Sequence, residues 1–347
     1  MQRHISPSNV KNVLVVGVGS IGQRHLRCFL ATGRVKAAIC EVHRPLAEQV
    51  AAQYGVERVY HDLDEALAGR YDAAVIATPA HLHVSMATRL ARAGMHLLIE
   101  KPLSTSMEGI GELCGTVRRA GVVAAGAYVL RAHPSLRAMK QAIDERRFGQ
   151  PLQIVASSGQ HFPTYRPAYR ETYYCDRATG GGAIQDALTH LVNAGEWLIG
   201  PVCRLLADAE HQVLDGVDVE DTVHLLTRHG GVLGCYSLNQ HQAPSETSIT
   251  VVCDRGTVRL EMHRQRWRWM SQPEEPWHDE PAGEILRDSL FVTQAQAFLD
   301  AVENSAPPLC SLPEAVQTLR VNLAALESLR RQAWQDLPPS LPAKEST

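Results

Sequence analysis

Three residues in this sequence have types and spacing suited to acid–base chemistry: Lys101, Asp186 and His190. Lys101 sits in Leu97-Leu98-Ile99-Glu100-Lys101-Pro102, where an apolar run ends on a carboxylate, an ammonium group and a proline. At the end of a buried strand such a lysine has two readings. It extends its aliphatic stem and keeps its charge in water, or it projects into a cleft. There it can hydrogen-bond a hydroxyl and favour the alkoxide that forms when the carbon is oxidised. Pro102 biases Lys101 toward extended backbone, which suits either role. Asp186 and His190 lie in Gly180-Gly181-Gly182-Ala183-Ile184-Gln185-Asp186-Ala187-Leu188-Thr189-His190. Four residues apart, they share one face of a helix. A carboxylate beside an imidazole orients the ring, fixes its tautomer and raises its basicity, which suits proton exchange with a hydroxyl. The alternative is an incidental surface pair.

The elements that must position these groups are legible as hydrophobic rhythm. Strands are expected at Asn12 to Gly17, Val35 to Cys40, Tyr71 to Ala77, Met95 to Glu100 and Val122 to Gly126, with helical spacing between them, as at Ile21 to Ala31 and His83 to Ala93. This alternation predicts an N-terminal α/β domain with a doubly wound parallel sheet, the Rossmann arrangement. After Tyr128 the pattern becomes a helix (Pro134 to Arg147), a strand (Leu152 to Ser157), a Tyr/Arg-rich loop and the helix opened by the three glycines. Period-2 strands follow from Val202 to Trp269, then two helices, Asp288 to Asn304 and Leu312 to Trp334. The expectation is an α+β C-terminal domain with a mostly antiparallel open sheet. The boundaries read as 1–127 for the dinucleotide domain, 128–335 for the substrate and oligomerisation domain, and 336–347 for a flexible tail.

Gly17, Gly19 and Gly22 form a GxGxxG directly after the first strand and at a helix start. Gly17 permits the tight turn, Gly19 lets backbone approach a pyrophosphate, and Gly22 lets helix and strand pack closely. The helix N-terminus, at Ser20 and Ile21, presents free N–H groups and a partial positive charge to phosphates. Glu41 ends the second strand, 19 residues beyond Gly22, where an acid grips the adenosine ribose. A carboxylate there accepts from a 2′-hydroxyl and repels a 2′-phosphate, so NAD is favoured over NADP, although His43 and Arg44 stand nearby.

Taken in order, the glycine turn, Ala77-Thr78-Pro79-Ala80-His81-Leu82-His83, Glu100-Lys101-Pro102 and the Gly-Gly-Gly–Asp–His helix resemble the glucose–fructose oxidoreductase / inositol dehydrogenase (Gfo/Idh/MocA) family over residues 11 to 332. The resemblance implies a dinucleotide domain joined to a sheet domain whose open face forms dimers or tetramers. It implies a Lys–Asp–His catalytic set on Lys101, Asp186 and His190, and it puts Thr78, Pro79, His83 and Glu100 along the cofactor cleft with Lys101. Two positions depart from the family pattern. Leu188 stands where a small residue is frequent, and Asn193 where an acid is frequent, so any titrating role at 193 is lost.

The resemblance gives an NAD-dependent dehydrogenase or reductase acting on a secondary alcohol of a sugar, polyol or sugar derivative. A second reading retains NAD and cleaves or eliminates a glycoside by transient oxidation. A third is a ligand-sensing regulator on the same fold, which the presence of all three catalytic groups disfavours. The loop from Gln160 to Thr179 concentrates Tyr165, Arg166, Tyr169, Arg170, Tyr173 and Tyr174. Aromatic faces suit a sugar ring and arginines an anionic group on it; a subunit interface is the competing use. With His190, Tyr165, Arg166, Tyr169, Arg170 and Tyr173 are the expected substrate contacts.

His161, Arg131, His133 and the run Asn239 to Gln242 are left between site and structural roles. Arg266-Trp267-Arg268-Trp269 reads as an edge strand with one packed face rather than a nucleic-acid surface, since Glu274 and Glu275 follow at once. His81 and His83 lack a third ligand, and eight scattered cysteines form no CxxC, so neither a metal site nor a disulfide framework is expected. With 45% hydrophobic and 20% charged residues and a net charge of −3, the composition is that of a globular enzyme without a nucleic-acid partner. No apolar run spans a bilayer and Met1 to Pro7 has no apolar signal core, so a cytoplasmic location is expected.

Overall fold

The computed structural model describes residues 10–281, 285, 286, 288–304 and 306–338. The chain divides into two compact units, Met1–Val129 with Leu286–Leu312, and Leu130–Ile285 with Pro313–Thr347.

The first unit opens with β1 (Lys11–Val16), α1 (Ser20–Ala31), β2 (Val35–Cys40), α2 (Arg44–Tyr54), β3 (Arg58–Tyr60) and the short α3 (Leu63–Leu67). It continues through β4 (Ala73–Ile76), α4 (His83–Arg92), β5 (His96–Ile99), α5 (Ile110–Ala120) and β6 (Ala124–Gly126). Among the described residues these strands pair in the order β3-β2-β1-β4-β5-β6, every ladder parallel. That is the doubly wound order in which the chain reverses beside β1. Val13, Val15, Val75 and Leu98 are fully or nearly fully buried because helices cover the sheet on both faces. The expected strands are all present: β2 has the expected bounds, β1 is shifted by one residue, and β4, β5 and β6 are shorter than expected. At three residues, β3 is too short to announce itself by periodicity.

The second unit runs through α6 (Pro134–Asp144), β7 (Pro151–Gly159), α7 (Phe162–Tyr165), α8 (Thr189–Ile199), β8 (Arg204–Glu210), β9 (Thr222–His229) and β10 (Val232–Asn239). Then come β11 (Glu246–Cys253), β12 (Gly256–Glu261), β13 (Arg266–Met270) and β14 (His278–Pro281). The chain closes with α9 (Ser289–Asn304), α10 (Leu312–Arg331) and β15 (Gln335–Asp336). The sheet order is β14-β13-β12-β11-β7-β10-β9-β8-β15, antiparallel except for β7 against β10. One face packs under α6, α8 and α10 through Ile154, Ala156, Leu225, Tyr236, Leu191 and Val321. The other face leaves Val155, Leu226 and Leu233 exposed.

Three expectations need correction. β13 is not an edge strand, because β14 pairs along it through Arg266–Pro281, Trp267–Glu280, Arg268–Asp279 and Trp269–His278. Residues 286–312, including α9, fall with the first unit rather than with the C-terminal domain. Asp288 accepts from Arg24 Nε at 3.1 Å and Arg27 Nε at 2.6 Å, and Arg34 bonds Asp300 and Glu303, so charge pairs tie α9 to α1 and the turn after it. The expected tail starts late: Asp336 pairs with β8, and buried Leu337 donates its N–H to the Cys203 carbonyl at 2.8 Å. Residues 339–347 of that tail lie outside the described residues.

Candidate active site

In the first unit the glycine turn is built by close approach. Gly17 has φ +82°, and a Cβ there would stand 2.8 Å from the Ala77 carbonyl oxygen; at Gly22 it would stand 1.9 Å from the Gly17 oxygen. Gly19 is different. A Cβ there meets nothing within 4 Å, so bare backbone faces open space. Gly19 caps α1 without a side-chain hydrogen bond, which leaves the first N–H groups, those of Ser20, Ile21 and Gly22, directed outward. Glu41 stands at the end of β2 beside this turn. Its Oε2 accepts from Val18 N–H and its Oε1 from His43 N–H, both at 3.0 Å. Each oxygen keeps a further lone pair for a ribose hydroxyl. An unhindered glycine, outward N–H groups and an anchored carboxylate fit NAD: the turn and α1 would hold its pyrophosphate and Glu41 its adenosine ribose.

Lys101 is half-buried at the carboxyl end of β5, and its peptide bond to Pro102 is cis. Glu100, expected along the cofactor cleft, is buried instead. Its Oε1 meets His25 Nε2 at 2.6 Å, and its Oε2 accepts the Lys101 N–H at 2.9 Å. Burial works to raise its pKa, but the bond and charge of His25, with Lys101, outweigh burial and hold the carboxyl below its usual range. His83, at the start of α4, is also buried, with Nε2 2.7 Å from the Thr78 carbonyl oxygen and Nδ1 3.0 Å from that of Pro102. Burial lowers its pKa against the pull of those carbonyls and of Glu100. The ring thus bridges the Thr78 and Pro102 carbonyls. Thr78 reaches Met86 Sδ through its hydroxyl, and Pro79 precedes the short turn Ala80–Leu82.

In the second unit the three glycines have separate causes. Gly180 and Gly182 take φ +100° and +86°, and a Cβ on Gly181 would lie 2.2 Å from the Tyr174 oxygen. The following helix starts as a π turn, Ile184–Leu188, in which the Thr189 N–H reaches back to the Ile184 carbonyl; only then does α8 begin. The regular α-helical spacing expected across Asp186 and His190 is thus relaxed into an i→i+5 turn, a geometry common at functional sites. Asp186 accepts the Tyr173 hydroxyl at 2.6 Å. His190, half-buried, occupies the first turn of α8.

Glu220, which no sequence motif marks, caps this helix. Buried, its Oε1 accepts the Ile184 N–H at 3.1 Å, its Oε2 binds Arg177 at 2.8 Å, and its carbonyl takes the Ala183 N–H at 2.9 Å. Asn193 lies one turn beyond His190. Its Oδ1 accepts from Arg131 at 2.8 Å, and its Nδ2 donates to Thr318 Oγ1 at 3.0 Å. Arg131 is therefore held inside the second unit. His133 occupies the cap position of α6 without making a side-chain cap.

The Tyr/Arg loop divides. Tyr169 is buried with Phe162, Tyr174, Leu214, Val217 and Val219, and its hydroxyl donates to the Asp215 carbonyl at 2.8 Å, as Arg170 Nε does at 2.7 Å. These two residues fasten the loop to the 211–219 segment. Tyr165, Arg166 and Tyr173 are exposed, Tyr173 being the one on Asp186. His161 is satisfied within the loop by Thr164 at 2.7 Å, and buried Gln240 accepts the Tyr174 hydroxyl. Among the described residues no group of three or more His, Cys, Asp or Glu could hold a metal ion, and no helix is long and apolar enough to cross a membrane.

A doubly wound domain with this glycine turn and acid, followed by an open-sheet domain, defines a dinucleotide-dependent oxidoreductase. The model of the oxidoreductase family with an NAD-binding Rossmann fold matches residues 11–128, and that of the GFO/IDH/MocA C-terminal domain matches 136–259. The scyllo-inositol 2-dehydrogenase (NAD(+)) of Bacillus subtilis is 31% identical over 91% of this chain and 93% of its own. The levoglucosan dehydrogenase of Pseudarthrobacter phenanthrenivorans is 24% identical over 94% and 98%. Among solved structures, a levoglucosan dehydrogenase in complex with NADH superposes with TM-score 0.87 at 21% identity, covering 94% of this chain and 99% of its own. The WlbA dehydrogenase of Bordetella pertussis, with NADH and UDP-GlcNAcA, gives 0.83 at 26%, covering 95% and 99%. The chain belongs to the Gfo/Idh/MocA family and is an NAD-dependent oxidoreductase.

Proposed function

We propose that this enzyme oxidises a secondary alcohol of a cyclic polyol, sugar or sugar derivative, or reduces the corresponding ketone. The observation that carries the reading is Lys101 at the carboxyl end of β5, in the same sheet whose β1 ends in the glycine turn, because open parallel sheets bind ligands at that edge. NAD, when bound, supplies the two-electron acceptor. Lys101 donates a hydrogen bond to the substrate hydroxyl and favours its alkoxide. His190 takes the hydroxyl proton, and Asp186 keeps the imidazole oriented and basic. Tyr165, Arg166 and Tyr173 meet the ring and its polar substituents. Relatives named for scyllo-inositol and levoglucosan support a compact ring bearing several hydroxyls. The exposed apolar side chains on the open sheet face support a homodimer or homotetramer formed through that face, and the enzyme is read as cytoplasmic.

The test begins with the mass and stoichiometry of any nucleotide released on denaturing freshly purified protein. Cofactor-free protein that reduces added NAD with scyllo-inositol, levoglucosan or related polyols and sugars supports the proposal. A full complement of tightly held NAD, no net reduction and cleavage of a glycoside would replace it with the transient-oxidation mechanism.

A further inference from the structure

Two routes of buried contacts connect the glycine turn to the main chain on either side of Lys101, all within the first unit. One runs through α1: His25, on the helix that the glycine turn opens, meets Glu100 Oε1 at 2.6 Å, and Glu100 Oε2 holds the Lys101 N–H at 2.9 Å. The other runs through the end of β4. Gly17 packs against Ala77 and Thr78 so closely that a Cβ would lie 3.1 Å from Thr78 Cγ2, and His83 sits between the Thr78 and Pro102 carbonyls at 2.7 and 3.0 Å. His25, His83 and Glu100 are almost wholly excluded from solvent. The Glu100 carboxylate is thereby engaged on both oxygens by the protein itself, with no exposed surface to offer a ligand.

We infer that Glu100, held by His25, is a positioning residue for Lys101, with His83 as a second brace on Pro102. The phosphate-binding turn and the lysine are then parts of one connected frame, and NAD binding at the first sets the second. The inference rests on the role proposed above for Lys101. A shift of about 1 Å in a reacting group costs on the order of 100-fold in rate while leaving binding at other contacts intact.

Glu100→Ala and Glu100→Gln separate positioning from general support. The glutamine can still accept the Lys101 N–H through its oxygen and meet the His25 ring nitrogen through its amide; alanine can do neither. NADH affinity is read by fluorescence titration and turnover with whichever of scyllo-inositol and levoglucosan the wild type oxidises. The chain has five lysines, Lys11, Lys36, Lys101, Lys140 and Lys344. Reductive ¹³C-methylation therefore gives few NMR signals, and Lys101 is assigned by its loss in Lys101→Arg. In Glu100→Ala, NADH affinity stays within about threefold, turnover falls about 100-fold, and the Lys101 signal of the NADH complex departs from its wild-type position. Glu100→Gln restores both. Should Glu100→Ala fail to fold, His83→Ala, which removes the bridge between the Thr78 and Pro102 carbonyls and leaves Glu100 in place, carries the same expectation. Affinity and turnover falling by one factor, or a Lys101 signal of the NADH complex at its wild-type position, overturns the inference. If the wild type oxidises no polyol or sugar, the proposed function fails, while the NMR arm still decides this one.

Discussion

Tyr173 donates its hydroxyl to Asp186 Oδ1 at 2.6 Å, joining the Tyr/Arg loop to the π turn that precedes His190. A hydrogen bond to a carboxylate is worth about 1.5–3 kcal/mol when shielded, and less here because Tyr173 is 42% exposed. Tyr173→Phe keeps the ring and removes the bond. Turnover is expected to drop roughly 3- to 10-fold with NADH affinity unchanged. Steady-state kinetics beside a cofactor titration decide it, and an unchanged kcat would remove Tyr173 from the proton-handling group.

Glu41 is the residue proposed to carry cofactor choice. Both of its oxygens are fixed by backbone N–H groups, and in the proposed role that fixed negative charge would repel a 2′-phosphate. Glu41→Ala is expected to weaken NAD binding about 10-fold, to relieve the repulsion of NADP and to narrow the preference. Comparing kcat/KM for the two cofactors in both proteins tests this. An unaltered ratio places the discrimination elsewhere.

Glu220 connects stability to the helix that carries Asp186 and His190. Its replacement by alanine leaves the buried Ile184 N–H without an acceptor and releases Arg177, at a cost of about 2–3 kcal/mol. A lower melting temperature is expected, with a larger loss of turnover than Glu220→Gln, which keeps an acceptor. Equal melting temperatures for wild type and Glu220→Ala would show that the cap is dispensable.

Acid sensitivity follows from two buried imidazoles. Burial brings His133 and His229 to about 4, against 6.5 for a free histidine. Both His229 nitrogens are engaged, and the Gly200 carbonyl pulls the pKa up without offsetting burial. Nδ1 lies 2.7 Å from the Gly200 carbonyl, and Nε2 faces the hydroxyls of Thr227 and Tyr236. With folded pKa values depressed, the unfolded chain binds more protons between pH 6.5 and 4. Stability is thus full above the unfolded value and falls as pH drops through that window. The expected loss is about 2 kcal/mol per histidine by pH 5. Urea midpoints at pH 7 and pH 5 measure it, and His133→Phe should flatten the slope. Identical midpoints at the two pH values in the wild type would contradict this account.

Much of the architecture is written locally. The GxGxxG of Gly17, Gly19 and Gly22 follows a strand and opens a helix, and Gly17 and Gly22 each meet a constraint that acts within a few residues or across one strand. The alternation of β1 to β6 with helices follows from residues that must be apolar because both faces of a parallel sheet are covered. Lys101 after β5, and Gly180 to Gly182 before Asp186 and His190, mark the candidate site through spacing alone.

Partners distant along the chain were decided only by the tertiary structure. Glu100 turns inward because His25, 75 residues earlier, is buried beside it. Tyr169 is buried, and both it and the exposed Arg170 bond the Asp215 carbonyl. The segment after residue 285 returns to the first unit, where Asp288 finds Arg24 and Arg27 more than 260 residues away. A side chain's type limits the bonds it can make, and its neighbours in sequence limit the backbone it adopts. Which buried group satisfies it depends on the surfaces that packing brings together, and no local pattern encodes that choice.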